Sequence, residues 1–279
     1  MTLILTELSH FGIAMAADTA LTSDVRKPNG TIGDRVYYGA HKLFTVPKLR
    51  AGIAYWGWGE IPQPGAGWSD KNSVLTELWL PFFLEKNQGH YNSISELAQL
   101  LENELRKRIP EIDIVAPKAD GGIHLAGYEA IGNLFLPTFW HIHNGKSEML
   151  SNKKLNPAIV NANNDVPLDI TQNKEGAKIS GRLIAEKRGI AIIRNGDIEV
   201  YTILFDLLFK PNSPFSQIVR SIDLTFPYTE SLKERAKLLK FQIQTVVGVY
   251  QFSKKGKGIG GPITTLTINP ERIMTHSTE

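Results

Sequence analysis

Cysteine is absent from all 279 residues, which excludes disulfides, thiolate metal centres and cysteine nucleophiles. No apolar run approaches the ~20 residues that span a bilayer, so no membrane partner is expected. The first residues lack a basic segment followed by an apolar stretch and a cleavage site. That pattern predicts no signal peptide and a cytoplasmic protein. Neither sign of charge dominates: 31 Lys and Arg stand against 28 Asp and Glu, a net +3. The one basic cluster, Lys254-Lys255-Gly256-Lys257, forms no stripe with aromatic partners and reads as a solvated loop. Nucleic-acid binding is therefore not expected. The length suits one large domain, or a domain with a sizeable insertion, able to bury a real core.

The chemistry is concentrated in the first sixty residues. Thr2 follows the initiator Met1, and Asp18 stands sixteen positions later in Asp18-Thr19-Ala20-Leu21-Thr22. Lys42 enters an apolar strand, Leu43-Phe44-Thr45-Val46, and a glycine-punctuated run follows from Ala51 to Gly59. Removal of Met1 would give Thr2 a hydroxyl and a free α-amine on one residue. An α-amine with a reference pKa near ~8 can act as general base for its own hydroxyl. A bland origin exists for each residue alone: many chains have Thr second, Asp commonly caps a turn, and a strand-end Lys is usually solvated. The combination and its spacing are what carry the signal.

In that combination the chain resembles the N-terminal-nucleophile hydrolases, above all the proteasome β-subunits and their bacterial relatives. The order of N-terminal Thr, Asp within D-x-x-x-T, Lys, then a glycine-containing turn is the family's. The resemblance implies Thr2 as nucleophile, Asp18 and Lys42 as its supports, Gly57 at the oxyanion turn and Thr22 as a substrate-binding residue. It implies cleavage of peptide or amide bonds, no metal or other cofactor, a homo-oligomeric ring and an ATPase or activator partner of unknown identity. Two alternatives stay open on the same fold: a small-molecule amidase, and a silent subunit that only builds the ring.

The sequence departs from the family in three places. Asp18 and Lys42 are twenty-four positions apart, about eight more than usual, and the surplus falls in a loop-like stretch, Thr22 to Gly30. Strict register from Gly52 puts Tyr55 or Trp56, not Gly57, at the oxyanion position. Active subunits carry Asp-x-x-Ser-Gly-Gly before the closing strand, whereas here Gly256 and Ile259 occupy the Asp and Ser positions. The missing support must come from elsewhere, with Asp223 and Ser213 as candidates, or the site is inactive.

The expected architecture is α+β: a four-layer αββα sandwich of antiparallel sheets, one domain over 1–279 with an insertion at about 144–212. Strands are predicted at 2–8, 12–18, 41–47 and 49–55, all in an antiparallel sheet. A helix is predicted near 70–86, capped by Ser69-Asp70, with Val74, Leu75, Leu78, Trp79 and Phe82 on its apolar face and Pro81 within it. Trp79, Phe82 and Phe83 make this helix too apolar to be fully wetted, which suits self-association. A second helix opens at Ser93-Ile94-Ser95-Glu96, continues through Leu97, Leu100, Leu101, Leu105 and Ile109, and stops at Pro110. Strands follow at 122–128 and 134–143. Arg194-Asn195-Gly196-Asp197 signals a hairpin between 189–193 and 198–201. Helices near 213–222 and 230–252 precede a terminal strand at 260–268. His141 and His143 share a strand face but have no third ligand at metal spacing. Gly256 to Gly261 is glycine-rich but runs from helix to strand, the reverse of a phosphate loop.

Overall fold

A computed structural model of the chain describes residues 2–26, 32–64, 73–108, 121–131, 134–143, 159–160, 190–197, 199–206, 217, 229–253, 258–269 and 273–276. Within them the fold is α+β with antiparallel sheets. The hairpin of β1 (Leu3–Ser9) and β2 (Gly12–Asp18) lies at the centre of a six-stranded sheet. Next to β1 are β12 (Ile190–Gly196) and then β11 (Ile159–Val160). Next to β2 are β13 (Ile263–Ile268) and then β14 (Ile273–His276), so the closing strand is followed by one more. A second sheet runs β10 (Leu134–His143), β9 (Gly122–Ile131), β6 (Ala51–Trp56), β5 (Leu43–Thr45). The early strands are thus divided between two sheets rather than gathered in one.

The transfer between sheets is made by a ribbon whose first strand overlaps the stretch expected to be a loop, Thr22 to Gly30. Ala20–Arg26 and Ile32–Tyr38 are strands β3 and β4, paired from Ala20↔Tyr38 to Arg26↔Ile32. Polar residues at Thr22, Ser23 and Asp24 disguised the first of these strands, because a two-stranded ribbon needs no apolar alternation to close its backbone hydrogen bonds.

Side-chain alternation explains the packing. In β1, Ile4 and Leu8 point into a cluster shared with Ala54, Trp56, Ala126 and Phe139 of the second sheet. Leu3 and Leu5 point the other way, into a cluster with helix α3 (Leu232–Gln251). Both faces of β1 are buried, which is why it reads as a continuous apolar run. On α3, Leu239, Ile243, Val246 and Tyr250 recur at helical spacing and are all buried, each aliphatic side chain contributing about 1.5–3 kcal/mol. The helix is capped by Ser231, whose hydroxyl accepts from Glu234 N, and clipped to β1 by Arg235, which binds the Glu7 carboxylate through two nitrogens. Burial pushes the Glu7 carboxyl up against the pull of that guanidinium.

The outer face of the second sheet carries α1 (Thr76–Lys86) and α2 (Ile94–Arg108). The Ser93 hydroxyl accepts from Glu96 N while the Glu96 carboxylate accepts from Asn92 N, and Leu97, Leu101 and Leu105 face inward. Ile109 and Pro110 lie outside the described residues. α1 starts later than expected: Ser73–Leu75 forms β8, paired with β7 (Glu60–Pro62), and Ser69-Asp70 lies outside the described residues. Its apolar face is also rotated from the expected one. Trp79, Leu80, Phe83 and Leu84 are buried, whereas Leu78 and Phe82 are exposed at 61% and 63%.

The expected Asn-Gly hairpin does not form. β12 pairs with β1, and the chain then turns helical through Glu199–Tyr201 and Thr202–Asp206, burying Tyr201 and Phe205 beneath α3. Gly196 takes φ 98°, and the next N–H, of Asp197, is captured by the Thr2 carbonyl at 2.7 Å. The stretch 144–212 therefore supplies the neighbour of β1. The helix expected near 213–222 lies outside the described residues except for one position. No helix among the described residues is long and apolar enough to cross a membrane.

Candidate functional site

Three of the five residues singled out in the sequence meet at the end of the central hairpin. β1 begins beside Thr2, β2 ends at Asp18, and Lys42 stands just before β5 of the other sheet. All three are buried, Asp18 and Lys42 completely. The Lys42 ammonium donates to Asp18 Oδ1 at 2.9 Å, to Thr2 Oγ1 at 2.9 Å and to the Ala20 carbonyl. An ammonium has three protons, so each has an acceptor. Burial draws the Lys42 pKa below the ordinary lysine value, opposed by the charge and hydrogen bond of Asp18.

Asp18 is held by four donors. Oδ1 accepts from Leu3 N at 3.0 Å as well as from Lys42, and Oδ2 accepts from Ala20 N and Gly260 N, both at 3.1 Å. A carboxylate offers about four lone-pair sites, and all are used. This arrangement fixes a negative charge against Lys42, and Lys42 directs a positive charge at the Thr2 hydroxyl. Positive charge beside a hydroxyl or amine favours its deprotonated form.

Gly260 was missed by side-chain reasoning. The segment before β13 supports Asp18 through a backbone N–H, which no residue type advertises. Ile259, at the serine position of the resemblance, is buried against α3. Gly261 has φ 74°, and a Cβ there would stand 2.4 Å from Thr19 Oγ1. The Thr19 carbonyl in turn accepts from Gly39 N and Ala40 N, tying the base of the β3–β4 ribbon to Asp18. Asp223 and Ser213 lie outside the described residues.

Gly57 follows β6 at φ 74° and is exposed. Thr22 lies on β3 opposite Val36, half-buried. Tyr55 and Trp58 are core residues beneath α1 and α2, and Trp56 lies between the sheets.

A second polar group is buried between the sheets. His124 of β9, fully enclosed, lies 2.9 Å from Thr6 Oγ1 through Nδ1 and 2.7 Å from Asn195 Oδ1 through Nε2. With an amide oxygen as partner, Nε2 carries the proton, leaving Nδ1 to accept from Thr6. Burial lowers its pKa to about 4. The His141 ring is 5.3 Å away, edge-on. Among the described residues no three His, Cys, Asp or Glu are grouped as a metal site would need.

No model of a known protein family matches the sequence, and no curated protein matches it. Among solved structures the chain is similar to the Anbu (Gly-1) mutant from Hyphomicrobium sp. strain MC1. That likeness has a TM-score of 0.44 at 11% identity and covers 100% of this chain and 88% of the other.

Proposed function

We propose that the chain is a hydrolase of amide bonds, most directly in peptides, in which Thr2 is the nucleophile once Met1 has been removed. The observation that carries this is the buried contact of Lys42 Nζ with both Thr2 Oγ1 and Asp18. The Thr2 hydroxyl, just before β1, has no packing need for an enclosed ammonium, and burying one there is costly, which supports a use for its charge. The α+β fold, with α3 packed against one antiparallel sheet and α1 and α2 against the other, is in keeping with the same reading.

In the proposed reaction the Thr2 oxygen attacks the substrate carbonyl carbon while the α-amine takes the hydroxyl proton. The tetrahedral adduct collapses, the C–N bond breaks, and the departing amine receives that proton. Water, deprotonated by the same α-amine, then attacks the ester and releases the acid, restoring the hydroxyl. Lys42 keeps positive charge beside the oxygen throughout, and Asp18 keeps Lys42 in place. The test is intact mass followed by a threonine-directed peptide electrophile. Met1 should be absent and one adduct should map to Thr2; a free, unreactive Thr2 would defeat the proposal.

The silent-subunit alternative has one observation in its favour. Ile259 occupies the serine position and is 3% exposed, packed into the core rather than turned to Thr2. Under that reading the same mass experiment finds Met1 gone and no adduct.

For assembly, Trp79 and Phe83 are excluded as contact residues because they are spent on the protein's own core. Leu78 and Phe82, one turn apart and exposed on α1, remain the basis for proposing self-association. Sedimentation should show a multimer, dispersed by Phe82→Glu; a concentration-independent wild-type monomer would overturn it.

A further inference from the structure

Thr2 is gripped on a second side, by the chain leaving β12. The Asp197 N–H donates to the Thr2 carbonyl at 2.7 Å. Only glycine permits this approach, because a Cβ on Gly196 would stand 1.8 Å from that carbonyl oxygen. The Asp197 side chain is fixed as well: the Tyr250 hydroxyl donates to Oδ2 at 2.7 Å. Tyr250 is 1% exposed on α3, so the two bonds run from that helix through the end of β12 to the residue just before β1. Burial raises the Tyr250 phenol above the ordinary tyrosine value, and the hydrogen bond and charge of Asp197 add to it. The phenol therefore keeps its proton and serves only as donor.

Backbone dimensions keep the Asp197 carboxyl carbon within about 10 Å of the Thr2 nitrogen. We propose that Asp197, latched by Tyr250, is a positioning residue for Thr2: its N–H fixes the Thr2 carbonyl, and its carboxylate sets the proton affinity of the Thr2 α-amine. This rests on the reading of Thr2 as first residue of the mature chain. The charged groups around that amine are then of both signs. Lys42 lowers its proton affinity from the β5 side, whereas Asp18 from β2 and Asp197 from beyond β12 raise it. Tyr250 moderates Asp197 by occupying one of its oxygens. An amine held by Lys42 alone would lose too much basicity to take a proton from the hydroxyl.

The experiment is a titration of the α-amine that needs no turnover. The full chain is made as a ubiquitin fusion and cut so that it begins at Thr2. Trace acetylation by acetic anhydride across pH, read by the mass of the N-terminal peptide, gives the amine pKa. Asp197→Asn should lower that pKa by about half a unit to one unit. Tyr250→Phe, which frees the carboxylate from its donor, should raise it and also covers the case in which Asp197→Asn fails to fold. An unchanged amine pKa in the folded variants overturns the proposal, whether or not the protein hydrolyses anything. A shift in a protein that shows no hydrolysis or labelling keeps the Asp197 role and removes the hydrolase reading instead.

Discussion

Gly260 donates its backbone N–H to the Asp18 carboxylate at 3.1 Å across 242 positions of sequence. With Ala20 N on the same oxygen and Leu3 N and Lys42 on the other, the carboxylate faces donors only. Asp18→Asn, nearly identical in shape, would turn an NH2 group against two N–H donors or against Lys42. We expect a loss of about 3–5 kcal/mol in urea denaturation, the scale of breaking a buried pair. A loss under about 1 kcal/mol would show that the charge is not needed.

Thr2→Ala should separate chemistry from stability. It removes one of three acceptors from Lys42, a change of about 1 kcal/mol. Hydrolysis of activated peptide substrates should vanish while the melting temperature moves by only a few degrees. Thr2→Ser keeps the oxygen and should keep measurable turnover. Equal activity in the Ala and Ser variants would place the nucleophile elsewhere.

Gly261→Ala is expected to cost about 2–4 kcal/mol, combining a left-handed backbone with a Cβ set against Thr19 Oγ1. Adding Thr19→Ala should return part of the loss by removing that oxygen, with the backbone share remaining. The double-mutant cycle measures the split, and simple additivity would contradict the contact.

His124 links stability to pH. Its folded pKa of about 4 lies below the ordinary 6.5, so between these values the unfolded chain binds the extra proton. Stability contributed by neutral His124 is complete above about pH 6.5 and falls as pH drops toward 4, by up to about 3 kcal/mol. His124→Gln should flatten that part of the profile. A variant with the wild-type slope would assign the acid sensitivity to other groups.

How much the sequence disclosed depended on whether side chains or backbone did the work. Thr2, Asp18 and Lys42 were legible because their residue types and spacing are unusual together, and β1 and β2 because both faces are apolar. Gly260 and Asp197 were not legible in their contacts with the site, since each acts there through an N–H common to every non-proline residue. The Asn195-Gly196 pair signals a hairpin by local propensity, but no hairpin forms there. The Thr2 carbonyl then captured Asp197 N and sent the chain into a helix instead. On α1, the expected face was wrong because the start of the helix was set by pairing of β8 with β7, which no periodicity within the helix reveals.

The closing strand has a temporal meaning. Asp18 and Lys42 leave the ribosome long before residue 260, and β13 can dock against β2 only after residues 263–268 have been made. Until then Asp18 Oδ2 has only one of its two donors, Ala20 N. The last of the four donors around Asp18 is thus supplied by a segment made 242 positions after it.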